Sequence, residues 1–259
     1  MSFPLPSPSD SDLAEINKIL DWHAAAELPD GRLLGRLDRN PGKRNEPARV
    51  PDPRIRWLNR AVKLKGKSVL EIGCFEGIHT IGLKHFTDSV TAIDVRPQNV
   101  VKTLTRLSWH GLSANVYQFD ADRIGGDFPK YDVIFHFGVL YHMLRPVEHL
   151  INLGAHCDYL YLDTHVAADS DMLMSFAVGE NVYDGVRRNE GGWSSPFAGT
   201  EDAALWLTRD SLMRALRDAG FVDMQILQDR AERNGPRLLI LAWRDPKKAP
   251  PPPKQAAKP

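Results

Sequence analysis

Two glycines, Gly73 and Gly77, bracket a turn in the stretch SVLEIGCFEGIHTIGL (68–83), where an apolar strand-like run gives way to a helical one. In an open parallel sheet the first strand-to-helix turn is the usual ligand contact. Gly73 can take backbone angles that other residues avoid, and Gly77 lets the helix start close to a ligand. A GxGxxG dinucleotide fingerprint is not completed, because Phe75 fills the middle glycine position and would obstruct the close approach of a pyrophosphate. No GK[ST] follows, so the turn is not a P-loop. About 20 residues further on, the run TAIDV ends in Asp94, placed to accept hydrogen bonds from ribose hydroxyls. A third run ends in FDADR, where Asp120 and Asp122 could take the exocyclic amine of an adenine. The set points to an adenosine ligand that carries no pyrophosphate.

The elements that must hold these residues alternate. SVLEIG, SVTAIDV, ANVYQFD, YDVIFHFG and YLYLDTHV are short apolar runs expected of strands buried on both faces. GIHTIGLKHF, PQNVVKTLTRLSWHG and PVEHLINLGAHC are helical segments between them, with Gly111 as a terminator. Strand alternating with helix implies right-handed crossovers and a doubly wound parallel sheet. TRDSLMRALRDAGF is a helix with Thr208 or Asp210 as N-cap and Gly220 as its stop, followed by FVDMQIL and RLLILAW, read as an antiparallel hairpin. An insertion covers 167–207, and no internal repeat is found. Ahead of the sheet, DLAEINKILDWHAAAEL is expected to form a helix with Asp12 and Glu15 as a capping box, and the Gly-, Pro- and Arg-rich run 29–53 a long loop. The organisation expected is a disordered start (1–10), a helix-and-loop cap (11–66), a main domain (67–246) with the insertion, and a disordered Pro/Lys-rich tail (247–259).

Composition narrows the classes. The 259 residues are 42% hydrophobic, enough for one substantial core, and 33 Lys plus Arg balance 33 Asp plus Glu, so no overall charge announces a nucleic-acid or anionic-membrane partner. Cys74 and Cys157 form no CxxC pair, which argues against a disulfide framework and a cysteine zinc site. No apolar run approaches the roughly 20 residues of a membrane span, and the start lacks the pattern of a signal peptide, so a cytoplasmic protein is expected.

VLEIGCFEGIHTIGL, AIDV, FDADR and YDVIFHFGVLYHMLRPVEHL, in that order, resemble the motifs of class I S-adenosylmethionine-dependent methyltransferases over roughly 67–166. S-adenosylmethionine is an adenosine ligand without pyrophosphate, as the glycine turn requires. GVLYHMLRPVEHL more narrowly resembles the branch of tRNA uridine carboxymethyltransferases and many small-molecule and sugar methyltransferases, in which an aromatic residue in the turn is familiar. The resemblance implies a Rossmann-like, seven-stranded α/β sheet, mostly parallel with the antiparallel C-terminal hairpin. It implies Glu71, Gly73, Phe75 and Gly77 at the methionine and ribose side, Asp94 at the ribose, Asp120 and Ala121 at the adenine, and Phe137 and Gly138 facing the sulfonium. Tyr141 and His142 would stand beside the acceptor.

Methyl transfer from a sulfonium needs donor and acceptor held in line and, for a hydroxyl acceptor, a base. His142 is the first candidate base, Tyr141 a substrate or cofactor contact, and His165 with Asp163 a further acceptor-side pair; two ligands alone make no metal site. His136, inside VIFHFG, reads as a core histidine. Arg187, Arg188 and Trp193, with Tyr183, could stack on a ring and pair with an anion, or simply pack as a lid. The expected activity is O-methylation of a small molecule or saccharide. The alternatives are a (carboxy)methyl transfer to wobble uridine of tRNA, and a non-catalytic S-adenosylmethionine-binding module; a dehydrogenase is disfavoured by Phe75.

Overall fold

The structure is a computed structural model that describes residues 8–37 and 45–251. The expected disorder of 1–7 and of the tail from 252 lies outside the described residues. The chain divides into two compact units, Met1–Phe119 and Asp120–Pro259.

In the first unit, α1 (Asp10–Ile19) is followed by β1 (Ala26–Glu27) paired antiparallel with β2 (Leu33–Leu34), then α2 (Pro53–Val62), β3 (Val69–Ile72), α3 (Ile78–Lys84), β4 (Val90–Asp94), α4 (Pro97–Trp109) and β5 (Asn115–Gln118). Helix α1 is shorter than expected, and its capping box is Ser9 with Asp12 rather than Asp12 with Glu15. The Ser9 N–H donates to the Asp12 carboxylate (2.8 Å) and the Asp12 N–H to Ser9 Oγ (3.2 Å), so the helix begins before the expected start. It ends because the next residues are committed elsewhere: Trp22, Leu28 and Leu34 are buried with Leu13 in one apolar cluster. Helix α2 is unanticipated above. Asp52 caps it, accepting from the Arg54 N–H at 2.7 Å, Pro53 starts it, and Ile55, Leu58 and Val62 make one buried face.

In the second unit come β6 (Tyr131–Phe137), α5 (Pro146–Gly154), β7 (Cys157–His165), β8 (Met174–Val178), β9 (Asn181–Asn189), β10 (Ala203–Leu207), α6 (Arg209–Asp218), β11 (Asp223–Glu232) and β12 (Gly235–Trp243). The insertion therefore contains a three-stranded antiparallel sheet, ordered β10-β9-β8. Thr208 is the N-cap of α6, accepting from the Ser211 N–H.

The main sheet has seven strands, ordered β11-β12-β7-β6-β3-β4-β5. Strands β3, β4 and β5 run parallel, as do β6 and β7, whereas β12 is antiparallel to β7 and β11 antiparallel to β12, forming the expected hairpin. The α/β, doubly wound, Rossmann-like expectation is thus met. Burial on both faces holds for β3, β4 and β7 but not for β5, an edge strand whose Asn115, Tyr117 and Gln118 are largely exposed. No helix among the described residues is long and apolar enough to cross a membrane.

Candidate active site

The glycine turn of the first unit is held by backbone bonds: the N–H groups of Gly73 and Cys74 both donate to the Ile93 carbonyl, and Gly77 N–H to the Cys74 carbonyl. Gly73 (φ 73°), Phe75 (φ 50°) and Gly77 (φ 78°) are all in the left-handed region. Phe75 thus takes a conformation that costs a non-glycine residue roughly 1–2 kcal/mol. Part of that is offset because its N–H donates to Asp94 Oδ2 at 2.9 Å. At Gly77 an added Cβ would lie 3.0 Å from the Thr103 Cα, so this glycine is required by the packing of α3 on α4.

Asp94, at the end of β4, is buried, and its Oδ1 accepts from the Arg96 N–H (2.9 Å) and the Asn99 side-chain amide (3.0 Å). Burial pushes its carboxyl above the usual range, against the pull of these donors. Each carboxylate oxygen can accept about two hydrogen bonds, so Oδ2 keeps one position for a ligand hydroxyl. Glu71 is 1% exposed. Thr80 Oγ1 donates to its Oε2 at 2.6 Å, and its Oε1 is buried with no hydrogen-bond partner among the described residues. Burial, helped by the Asp94 charge, pushes Glu71 up to about 8, which keeps it protonated at neutral pH.

Glu76, inside the turn, was not singled out above because its partners are remote in sequence. Fully buried, it accepts from the N–H groups of His23 (2.8 Å) and Ala24 (2.9 Å) and from Lys102 Nζ (2.8 Å). Burial alone would raise its carboxyl, but His23 and Lys102 hold it below the usual range. Arg106, also fully buried, donates to the carbonyls of Glu76, Leu34 and Ala24 at 2.6, 3.2 and 3.1 Å. Glu76 and Arg106 together fasten the segment after α1 onto the glycine turn.

In the second unit Gly138 (φ 72°) follows β6, and its N–H donates to the Asp163 carbonyl at 3.0 Å. The Phe137 side chain is 6% exposed and stacked on Phe135, with ring centroids 3.9 Å apart. Asp120 caps the short turn Ala121–Arg123, its Oδ1 accepting from the Asp122 N–H at 3.0 Å.

The turn Leu140–His142 presents Tyr141 and His142 side by side. His142 Nδ1 lies 2.9 Å from Glu190 Oε2, at the end of the insertion sheet. Since a carboxylate only accepts, Nδ1 carries the proton and Nε2 is left as a lone pair. Glu190 is 48 residues away, and no local pattern could have found it. Tyr141 sits edge-on to both His165 (4.8 Å) and Trp206 (5.8 Å), which are stacked on each other at 4.9 Å and 10°.

His165 is 3% exposed, its Nδ1 meets the Pro236 carbonyl at 3.1 Å, and its Nε2 faces Arg237 Nη1 at 3.4 Å, so with Nδ1 donating, its lone pair is directed at a guanidinium. Burial and Arg237 lower its pKa accordingly. Fully buried Asp163 instead accepts from Arg230 Nη2 at 2.8 Å and from Arg237 Nε. Arg188 reaches Asp171 at 2.7 Å and lies over the Trp206 ring, Arg187 is exposed on the opposite face of β9, and Trp193 is 56% exposed on the turn Gly192–Ser194. Tyr183 is buried, donating to Asp218, and so packs rather than stacking on a ligand. Among the described residues no group of three or more His, Cys, Asp or Glu side chains could hold a metal ion.

Against known proteins, the profile of the methyltransferase domain matches residues 43–226. Curated relatives include the ubiquinone biosynthesis O-methyltransferase of Coxiella burnetii (strain RSA 493 / Nine Mile phase I), 25% identical over 117 residues, covering 45% of this chain and 50% of that protein. The enzyme of the same name from Stutzerimonas stutzeri (strain A1501) is 28% identical over 96 residues, covering 37% and 41%. This chain thus spans about half the length of the curated relatives it matches. Among solved structures, the N-terminal domain of EvdMO1 with SAH bound superimposes with a TM-score of 0.73 at 22% identity, over 91% of this chain and 96% of that one. Magnesium protoporphyrin IX methyltransferase (ChlM) from Synechocystis PCC 6803 with bound SAM gives 0.53 at 18% identity, over 74% and 76%. The glycine turn, the acidic end of β4 and the seven-stranded sheet therefore have a common explanation: the chain belongs to the methyltransferase domain family, with the fold of the class I S-adenosylmethionine-dependent methyltransferases.

Proposed function

We propose that this chain transfers a methyl group from S-adenosylmethionine to a hydroxyl oxygen of a small molecule, a saccharide among them, in the cytoplasm. The observation that carries the acceptor chemistry is the His142–Glu190 pair, 2.9 Å apart, next to Tyr141. Transfer to oxygen also accords with the O-methyltransferase names of the curated relatives. Buried, unbridged Cys74 and Cys157 accord with a reducing compartment.

The residues present suit the cofactor. Asp94 has one acceptor position left for a ribose hydroxyl, and Glu71, neutral and with an unpartnered Oε1, adds no second full charge beside it. Gly73 and the Phe75 backbone would line the ribose side, and Asp120 with Ala121 would take the adenine. When bound, S-adenosylmethionine supplies an electrophilic methyl group on a sulfonium. His142 Nε2 accepts the acceptor's hydroxyl proton as the oxygen attacks, and Glu190 steadies the imidazolium that results. Gly138 and Tyr141 would border the reacting oxygen. Arg188 is already tied to Asp171, which leaves the tRNA reading without a specific observation in its favour.

The test pairs binding with turnover. S-adenosylmethionine and S-adenosylhomocysteine should bind calorimetrically while NAD does not, and Asp94→Ala should weaken both. His142→Gln should lower kcat by roughly 10²–10⁴ with donor affinity unchanged. Failure of both sulfur nucleosides to bind would refute the proposal.

A further inference from the structure

Around the aromatic stack of Tyr141, His165 and Trp206, each guanidinium already has a carboxylate. Arg237 and Arg230 share Asp163 and Glu232, and Arg188 holds Asp171. With Glu190 beside His142, four carboxylates stand against three guanidinium groups. A phosphate, sulfate or carboxylate arriving here would have to displace an existing ion pair, one of them at fully buried Asp163.

The cluster is nevertheless rich in hydrogen-bond donors. A Cβ built on Gly138 would lie 3.7 Å from both Arg237 Nη2 and the Tyr141 hydroxyl, so the missing side chain leaves a small recess walled by two polar groups. Trp206 Nε1 and Arg188 Nε are buried with no acceptor among the described residues, and the Arg188 guanidinium lies 5.0 Å from the Trp206 ring. Buried donors without partners are costly, a cost that an oxygen-bearing ligand recovers.

We infer that this cluster selects an uncharged, polyhydroxylated acceptor, that is a neutral sugar or sugar-like ring, and rejects anionic acceptors, with Arg237 Nη2 and the Tyr141 hydroxyl reading an acceptor hydroxyl. The inference rests on the methyl-transfer reading above and narrows its substrate class. Glu232, partly exposed and bonded to both arginines, sets the charge balance.

The experiment follows transfer of tritiated methyl from S-adenosylmethionine to matched acceptors: methyl glycosides of neutral hexoses and 6-deoxyhexoses, the corresponding uronates, and hexose 6-phosphates. Ligand-observed NMR with protein saturated in S-adenosylhomocysteine reads acceptor binding without turnover. Neutral glycosides should exceed their anionic twins in kcat/KM by at least about tenfold, and Glu232→Gln should narrow that ratio roughly fivefold by removing one negative charge. Asp158→Asn, at the opposite end of β7 and paired with Lys248, should leave the ratio unchanged. Preference for the uronates or phosphates, or no binding by any member of the panel, overturns the inference. S-adenosylmethionine binding in the same preparation separates these outcomes from failure of the methyltransferase reading.

Discussion

His136 on β6 and His149 on α5 are both buried, with their Nε2 atoms 3.0 Å apart. One must donate and the other accept, so a single proton lies between them and both rings are neutral. Protonating the accepting ring would set two N–H groups face to face, and protonating the donating ring would place an uncompensated charge in a buried pair. Burial lowers His149 from 6.5 to about 4, and burial together with His149 holds His136 well below its ordinary value. Because the unfolded chain takes up protons through pH 6.5 and the folded chain does not, stability falls as pH drops from that value towards 4. For His149 alone the loss between pH 7 and pH 4.5 is roughly 2 kcal/mol, at about 1.36 kcal/mol per pKa unit. Glu71 acts with the opposite sign. Its folded value of about 8 against 4.5 unfolded means that acidification over the same interval relieves about 3 kcal/mol. In the intact protein the two largely offset each other, and they are separable by mutation. Urea unfolding followed by tryptophan fluorescence at pH 7 and pH 4.5 should show the double variant His136→Phe, His149→Leu gaining at least about 2 kcal/mol relative to wild type on acidification. Glu71→Gln should instead lose about 3 kcal/mol relative to wild type over that interval. Superimposable pH dependences for wild type and the histidine-free variant would refute the assignment of a neutral, single-proton pair.

Glu190→Gln keeps a hydrogen-bond acceptor for His142 but removes the charge that steadies its protonated form, so kcat should fall roughly 10-fold or more; an unchanged kcat would remove Glu190 from the mechanism. Gly77→Ala forces a Cβ to within 3.0 Å of the Thr103 backbone at a φ of 78°, and should destabilise by about 2–4 kcal/mol in urea titrations. Arg106→Met strands the carbonyls of Ala24, Leu34 and Glu76, and should cost about 3 kcal/mol or more, with hydrogen exchange accelerated first at Trp22–Leu34.

The order of strands and helices from Ser68 onward, the glycine turn, and the positions of Asp94 and the Tyr141–His142 pair at strand ends were legible from residue order alone. Each depends on contacts within one strand-turn-helix unit, where apolar period, glycine and capping residues act over a few positions. Helix α2 carried the same kind of signal in Asp52-Pro53 and the spacing of Ile55, Leu58 and Val62, but lay behind a Gly- and Pro-rich run. Tertiary structure alone decided the rest. The insertion became a three-stranded sheet because β9 pairs on both sides, and its register brings Glu190 to His142 and sets Arg188 over Trp206. The register of β12 on β7 places Arg237 opposite His165, which directs the ring lone pair at a guanidinium. Glu76 and Arg106, unremarkable in sequence, are buried charges whose partners lie 26 to 82 residues away. Local periodicity selects the elements, but the partner of a buried polar group is set by how distant strands align, and that alignment is fixed only when the whole sheet closes on its core.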